Sequence, residues 1–155
     1  MGTIEERIAS LGYDLPTASA PVANYVSTVR VETAGLVFTS GHVPRNPDGS
    51  FITGRLGKDM STEAGYEAAK NVAISILSSI KTEIGDLDQV ERVVKVLCMV
   101  NSTPEFTEHP SVANGASDLM VEVFGDKGRH ARSAVGMVSL PANVPVEIEM
   151  IIQVR

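Results

Sequence analysis

Apolar residues recur at helical spacing in two long segments of the chain. The first segment, Ser61–Ile84, carries one apolar stripe at intervals of three and four residues and is followed by Gly85. The second, Pro110–Phe124, has the same spacing and is followed by Gly125. Each segment is therefore predicted to form a helix with one buried face. The stripe residues are Ala69, Val72, Ala73, Ile76, Leu77, Ile80 and Ile84 in the first segment, and Val112, Ala116, Leu119, Met120, Val123 and Phe124 in the second.

Five further segments have the alternation or the apolar continuity of β-strands. They are Tyr25–Thr33, Leu36–Ser40, Val90–Val100, Arg132–Ser139 and Pro145–Val154. A turn is predicted between the first two, whereas Pro44–Gly57, which is rich in glycine and proline, is typical of a long connecting loop. A short N-terminal helix is predicted over Thr3–Leu11, because Thr3 and Glu6 have the spacing of a capping box.

The resulting order α-β-β-α-β-α-β-β predicts an α+β fold in which one mixed β-sheet carries two long helices on one face. Residues 1–20 are interpreted as an N-terminal helix and loop extension, and residues 21–155 as a single domain. No predicted helix remains to cover the second face of the sheet, although its strands are apolar on alternate residues. We therefore expect that face to pack against other copies of the chain in an oligomer.

Composition narrows the possible functions. The net charge of −6 disfavours nucleic-acid binding, which depends on clustered lysine and arginine side chains. The most apolar runs, Val93–Val100 and Val146–Val154, have only eight or nine residues, too few to cross a membrane as a helix. The acidic, amphipathic start of the chain lacks the features of a secretory signal, so a cytoplasmic location is expected. Cys98 lies within one of the apolar runs and is interpreted as a buried structural thiol.

General motifs point to no particular chemistry. His42, His109 and His130 are far apart in the sequence, and none pairs with another histidine or with Cys98 at ligand spacing, so no metal site is predicted. The sequence also contains no phosphate-binding glycine loop, no dinucleotide fingerprint and no Gly-x-Ser-x-Gly nucleophile elbow. Any candidate site must therefore come from isolated polar residues among the strands.

Three polar features occur at strand ends or within apolar strands. Arg132 begins a strand among small residues, where a desolvated guanidinium needs an anionic partner, either a structural ion pair or a ligand carboxylate. Glu147 and Glu149 alternate with apolar residues, so both are predicted on one face of a strand, either as a solvated edge or as part of a site. Ser40-Gly41-His42 ends a strand with a glycine that lets backbone groups approach a ligand.

These features belong to a longer ordered pattern. It comprises Tyr25-Val26, Phe38-Thr39-Ser40-Gly41-His42-Val43-Pro44, the strand containing Lys95, Val112-Ala113-Asn114, Arg132-Ser133-Ala134-Val135, Leu140-Pro141 and Val146-Glu147-Ile148-Glu149. The pattern resembles the signature of the RidA/YjgF family, whose members are also described as endoribonuclease L-PSP-like. The resemblance covers nearly the whole chain from Tyr25 onward, and the spacing from Arg-Ser through Leu-Pro to Glu-x-Glu is its specific part.

The resemblance implies a chorismate-mutase-like fold and a homotrimer with a central β-barrel, in which active sites lie between neighbouring subunits. It implies that Arg132 holds a substrate carboxylate and that Glu147 positions a water for attack on an imine carbon. The implied reaction is hydrolysis of a 2-imino acid or its enamine tautomer, such as 2-aminoacrylate, to the 2-keto acid and ammonia, without a cofactor. The residues implied to line the pocket are Tyr25, Ser40, Gly41, His42, Asn114 and Ala134.

Three positions depart from the best-known deaminases of that family. Ala134 stands where many members have cysteine, Gly136 replaces a bulkier polar residue, and His42 occupies a position often held by glutamine. The resemblance implies that main-chain groups act at Ala134, and alanine keeps both the N–H and the carbonyl. His42 is interpreted either as a proton donor or as a hydrogen-bonded structural residue. The choice of substrate stays open.

Two other functions are compatible with the resemblance. A catalytically silent or regulatory protein of this fold would bind small carboxylates through Arg132 without activating water. An endoribonuclease would need a basic groove along the RNA strand and an acid–base pair for cleaving a phosphate ester, and the sequence shows neither. The pairing of Arg132 with Glu147 favours the deaminase over both alternatives.

Overall fold

The computed structural model describes residues 2–155 and confirms the predicted order of helices and strands. The helices are α1 (Thr3–Ser10), α2 (Thr62–Ile84) and α3 (His109–Phe124), and the strands are β1 (Thr28–Val31), β2 (Leu36–Thr39), β3 (Val90–Asn101), β4 (Ala131–Met137) and β5 (Val146–Val154). The strands form one sheet in the order β1-β2-β5-β3-β4. Because β3 and β4 are parallel and the other neighbours are antiparallel, the sheet is mixed, as predicted.

Both long helices pack on one face of the sheet. Ser61 caps α2, since its Oγ accepts a hydrogen bond from the Ala64 N–H at 3.1 Å, and Gly85 ends the helix with a φ of 84°. The predicted apolar stripes of α2 and α3 are buried against the sheet. Each large aliphatic side chain buried in this way contributes about 1.5–3 kcal/mol, so this layer is the core of the domain.

Gly115 permits a close approach between α2 and α3. A Cβ at this position would collide with the carbonyl oxygen of Tyr66 on α2, so only glycine leaves room for the neighbouring backbone. Tyr66 then reaches across to α3, where its hydroxyl donates to Asp118 at 2.9 Å. The two helices are thus held at a spacing that a larger residue would change. None of the described helices is both long and apolar enough to cross a membrane, and the cytoplasmic location stays a prediction.

The opposite face of the sheet has no helix against it among residues 2–155. Val29, Phe38 and Val135 lie on this face and are 52%, 40% and 42% exposed. Clustered exposed apolar side chains are typical of surfaces that bind another protein. This is the surface that the sequence predicts to pack against other copies of the chain, and the oligomer stays a prediction.

The capping box predicted for α1 was wrong. The Thr3 side chain makes no capping hydrogen bond. Instead, the N–H groups of Thr3 and Ile4 donate to the two carboxylate oxygens of Asp88 at 2.9 and 2.8 Å. An acidic group at this end of a helix satisfies free N–H groups and favours the helix dipole. The cap therefore comes from a residue more than 80 positions away, which local spacing cannot reveal.

β1 is shorter than predicted. It begins at Thr28 rather than Tyr25 and ends at Val31, where a 3₁₀ turn over Glu32–Ala34 replaces the last residues of the predicted strand. The segment before β1 is a loop that stays close to the end of β2, because the Ser40 N–H donates to the Ser27 carbonyl at 2.8 Å. This loop carries Tyr25 toward the candidate site.

Candidate active site

The first group of candidate residues lies where β2 ends beside β5. His42 forms an antiparallel bridge with Ile148: its N–H donates to the Ile148 carbonyl at 2.8 Å, and the Ile148 N–H donates back at 3.0 Å. The preceding residue, Gly41, is thereby set against the side chain of Glu147. A Cβ at Gly41 would collide with the Glu147 carboxylate, so the missing side chain allows the carboxylate to lie against the backbone.

Glu147 is half-buried, and its surroundings favour the neutral carboxyl group. Burial raises the pKa of Glu147, and the charge of Glu149 raises it further. A raised pKa brings a carboxylate closer to the range in which it can accept a proton at neutral pH. Glu147 and Glu149 lie on the same face of β5, as predicted. Glu147 does not lie at a fully solvated edge, which was the alternative considered from the sequence, because the residue is partly buried and packs against Gly41.

A small cavity of about 100 Å³ opens beside Gly41. Tyr25, Ser40 and His42 line it together with the loop residues 19–22. The Ser40 hydroxyl donates to the Val26 carbonyl at 2.6 Å, which ties the loop carrying Tyr25 to the end of β2. Four of the residues implied to line the pocket therefore surround one cavity in a single chain.

The ring of His42 is turned toward α2 and has a partner on each nitrogen. Nδ1 is 2.8 Å from the Ser40 carbonyl oxygen, and Nε2 is 2.8 Å from Ser79 Oγ. Because a carbonyl only accepts, Nδ1 is assigned the proton and Nε2 accepts from the Ser79 hydroxyl. Burial lowers the pKa of His42, so the ring is neutral near pH 7. This geometry matches the structural interpretation of His42 and leaves no ring nitrogen for proton donation.

The second group lies on β4, at one edge of the sheet. Arg132 Nη1 donates to Asn114 Oδ1 at 2.8 Å and to Ser117 Oγ at 3.1 Å, both on α3. Among the described residues, no carboxylate forms an ion pair with Arg132. The structural ion pair considered from the sequence is therefore not formed within residues 2–155, and the guanidinium can serve an external anion.

Two residues that were not selected from the sequence orient Arg132. His130 Nδ1 donates to the Gly128 carbonyl at 2.6 Å, which leaves Nε2 to accept from the Ser117 hydroxyl at 2.9 Å. The Ser117 oxygen then accepts from Arg132. Burial lowers the pKa of His130, and the charge of Arg132 acts in the same direction, so the ring is neutral near pH 7. Ser117 and His130 thus hold the guanidinium in place without a competing charge.

The structure explains one departure from the family pattern, the glycine at position 136. A Cβ on Gly136 would lie 2.6 Å from His109 Nε2 and 2.9 Å from Ser102 Oγ. These two side chains are themselves 3.1 Å apart. His109 therefore occupies space next to β4 that a larger residue at position 136 would need. Ala134, two residues earlier on β4, pairs with Cys98 of β3, and burial raises the pKa of that thiol to about 12.

A single chain does not bring Arg132 and Glu147 into one pocket. Arg132 pairs with Val96, which pairs with Met150, three residues beyond Glu147 along β5. With strands about 4.8 Å apart and about 3.3 Å per residue, the two Cα atoms are roughly 14 Å apart. The side chains also lie on opposite faces, since Arg132 contacts α3 whereas Glu147 alternates with the residues buried under the helices. Each group is an open half-site.

Comparisons with known proteins identify the family. The family model described as "YjgF/chorismate mutase-like, putative endoribonuclease" matches residues 5–152. Protein TCP17 of Trypanosoma cruzi is 43% identical over 156 residues, which cover 99% of this chain and 96% of that protein. A 2-iminobutanoate/2-iminopropanoate deaminase of Salmonella typhimurium is 30% identical over 142 residues, which cover 88% of this chain and 94% of the enzyme.

A solved crystal structure has the same fold as this protein over nearly the whole chain. The crystal structure of Atu1372, a protein of unknown function from Agrobacterium tumefaciens, matches with a TM-score of 0.90 at 42% identity. The match covers 98% of this chain and 92% of that one. Together with the mixed sheet and its two helices, these similarities show that the chain belongs to the YjgF family, also called RidA, and has its chorismate-mutase-like fold.

Proposed function

We propose that this protein is a deaminase of 2-imino acids and their enamine tautomers, and that its active sites form between the subunits of a homotrimer. The observation that carries the proposal is the division of the polar groups into two half-sites. Arg132 is oriented by α3 but lacks a carboxylate partner in the described chain, and Glu147 has a raised pKa beside Gly41. The name of the Salmonella relative, a 2-iminobutanoate/2-iminopropanoate deaminase, supports the same chemistry.

Another copy of the chain would complete each half-site. Val29, Phe38 and Val135 would be buried at the centre of the trimer, where three sheets meet as a barrel. β4 is an edge strand and is open to a neighbouring subunit. We infer that Glu147 of one subunit faces Arg132 of the next across this boundary. The assembly would therefore supply the geometry that a single chain lacks.

The proposed reaction begins with capture of the substrate carboxylate by Arg132. A guanidinium binds a carboxylate through two parallel hydrogen bonds, which fixes the orientation of the attached imine. Hydrogen bonds from the guanidinium to Asn114 and Ser117 fix its orientation before the substrate binds, so that binding does not have to order the Arg132 side chain. An enamine substrate first tautomerises to the imine, as its terminal carbon gains a proton and its nitrogen loses one.

Glu147 would act on the water in the next step. The carboxylate accepts a proton from the water as the water oxygen bonds to the imine carbon, and it then gives this proton to the nitrogen, which regenerates the carboxylate. The resulting carbinolamine loses ammonia as its carbon–nitrogen bond breaks and the carbonyl forms. One water is consumed, and one 2-keto acid and one ammonia are released. No change of oxidation state occurs, so the balanced reaction requires no redox partner.

The size of the cavity bears on the substrate. A volume of about 100 Å³ suits an imino acid with a short side chain. A second hollow of about 490 Å³ shares Ser19, Val43, Arg45 and Ser75 with the first. Asp14, Pro16 and Thr17 of the N-terminal extension form part of its wall. We propose that this hollow accepts longer side chains, with the extension deciding their length.

The activity is tested by following the release of ammonia and keto acid from freshly generated 2-imino acids with several side chains. We expect the native protein to accelerate release and both Arg132→Ala and Glu147→Gln to lose the acceleration. No acceleration by the native protein, combined with saturable binding of 2-keto acids, would instead support the carboxylate-binding alternative. Salt-sensitive RNA cleavage that is lost in Arg132→Ala would support the endoribonuclease.

Co-expression of the two inactive variants tests the site between subunits. If each site takes Glu147 from one subunit and Arg132 from the next, random mixing at equal amounts gives both native residues in about one quarter of the sites. We therefore expect the co-expressed protein as a whole to regain about 25% of native activity. Co-expression of Arg132→Ala from both gene copies is the control, because none of its sites then contains Arg132 and the protein should stay inactive. If the sites lie within one subunit, the mixed trimers stay inactive.

A further inference from the structure

A cluster of three carboxylates joins the N-terminal helix to the body of the domain. Glu5 lies on α1, and Asp86 and Asp88 lie in the turn between α2 and β3. One oxygen from each carboxylate can be chosen such that all three lie within 4.8 Å of one another. Oxygens closer together than this limit can surround one cation at the distances of about 2.3–2.6 Å that calcium takes in proteins. The residues are about 80 positions apart in the sequence and meet only when α1 docks.

Glu5 is the unusual member of the cluster, because its carboxylate is buried and only partly satisfied. The residue is 6% exposed. Its Oε1 accepts from the Leu87 N–H at 3.2 Å and is 3.7 Å from Lys81 Nζ. Among residues 2–155, nothing forms a hydrogen bond to its Oε2, although that atom is inaccessible to solvent. Leaving a charged oxygen buried without a partner costs several kcal/mol unless a ligand compensates for it.

The free oxygen of Glu5 points to a space kept open by Gly2. A Cβ on Gly2 would collide with Glu5 Oε2 and would lie 2.5 Å from Asp86 Oδ1. The two carboxylates therefore converge on one point from different segments. Asp88 adjoins them while it caps α1, and its two oxygens retain lone pairs beyond those used by the Thr3 and Ile4 N–H groups.

From this geometry we propose that Glu5, Asp86 and Asp88 bind a divalent cation that fastens α1 to the turn before β3. Three carboxylates face the ammonium of Lys81 and, at Asp88, the charge of Arg155, which is itself paired with Glu91, so a net negative charge is left for the cation to neutralise. Calcium fits better than magnesium, because it accepts irregular sets of oxygen ligands at 2.3–2.6 Å, whereas magnesium requires a near-ideal octahedron at 2.0–2.1 Å. Asp86 is exposed, so water can complete the coordination from that side. This site is independent of the proposed deaminase activity.

The site is tested by calorimetric titration of the full-length protein with calcium chloride and with magnesium chloride, after treatment with a chelator. We expect saturable calcium binding with one site per chain and weaker magnesium binding. At a calcium concentration about 100 times Kd, the midpoint of thermal unfolding is expected to rise by about 5 to 10 °C. Removing one carboxylate by Glu5→Gln or Asp86→Asn is expected to weaken calcium binding at least tenfold.

Glu67→Gln is the matched control. Glu67 also forms an ion pair with a lysine, Lys70, at 3.7 Å, but it lies on the exposed surface of α2. Binding and the rise in unfolding temperature should be the same in this variant as in the native protein. Asp86→Asn keeps the test usable if Glu5→Gln fails to fold, because Asp86 is exposed and asparagine retains its acceptor for the Asp88 N–H. The proposal is overturned if the native protein binds no calcium up to millimolar concentrations, or if Asp86→Asn binds it as tightly as the native protein.

Discussion

Replacing Ser117 by alanine should weaken the binding of the substrate carboxylate without removing any group that touches the substrate. Ser117 Oγ lies 3.1 Å from Arg132 Nη1 and 2.9 Å from His130 Nε2. The alanine variant keeps Arg132 and its bond to Asn114, but the guanidinium loses one of its two supports. Arg132 would then populate additional orientations, only some of which suit a bidentate carboxylate.

The expected magnitude follows from the hydrogen bond that is lost. A hydrogen bond to a charged group contributes about 1.5–3 kcal/mol, and Ser117 lies at a partly open position, where water replaces some of it. We take about 1.4 kcal/mol as the cost in carboxylate binding, which corresponds to about a tenfold rise in Kd. The lost donor to His130 is expected to cost about 1 kcal/mol in the free energy of unfolding.

The assay combines calorimetric titration with 2-oxobutanoate, a keto acid product, and steady-state deamination of the corresponding imine. The variant should show a tenfold higher Kd and KM, while kcat changes by less than about twofold, because Glu147 and its water are untouched. Ser78→Ala is the control: this serine lies on α2, is buried, and donates to the Ile74 carbonyl at 3.4 Å within its own helix. An unchanged Kd in a folded Ser117→Ala protein would refute the positioning role, as would a loss of kcat at constant KM.

Three further predictions concern packing and ionisation. Gly41→Ala should lower kcat by about 100-fold, because the new methyl group displaces the carboxylate of Glu147; turnover measurements on folded protein check this. Because the pKa of Glu147 is raised in the folded state, its contribution to stability is full below its ordinary value of 4.5 and is lost as the pH rises through the folded value. The free energy of unfolding of Glu147→Gln, measured by urea denaturation, should therefore rise relative to that of the native protein as the pH is raised from about 4 to about 8. A difference between the two proteins that stays the same over this range would contradict the raised pKa. Gly115→Ala should cost about 1–3 kcal/mol of unfolding free energy by striking the Tyr66 carbonyl, whereas Ser111→Ala, at an exposed position on α3, should change it little.

The long helices and the sheet could be predicted because their signals are local. The apolar stripe of α2 repeats over about four turns, and a capping serine and a glycine mark the ends of the helix within the same segment. The alternation of Glu147 and Glu149 with apolar residues fixed the two faces of β5 in the same way. Periodicity of this kind reports burial directly, since one face of each of these elements packs against the core of the domain.

Features that depend on distant residues were not predictable from one sequence. Thr3 and Glu6 have the spacing of a capping box, but the carboxylate that caps α1 belongs to Asp88. The absence of a metal site was predicted from the spacing of histidines and a cysteine, whereas the proposed cation site consists of carboxylates brought together by folding. Ser117 and His130 gave no recognisable signal either, because their link to Arg132 depends on how α3 lies over β4.

Arg132 and Glu147 show the limit of sequence-based prediction at the site itself. Residue type and strand position identified both side chains, but the strand register places them on opposite faces and roughly 14 Å apart. The uncovered apolar face gives a physical reason for that separation, because the side chains that an oligomer would bury lie on the same face as Glu147. If burial of Phe38 and its neighbours drives trimer formation, the same free energy brings Arg132 of one subunit to Glu147 of another. Deaminase activity and assembly should then be lost together, so a polar substitution at Phe38 would abolish turnover although it lies outside the cavity.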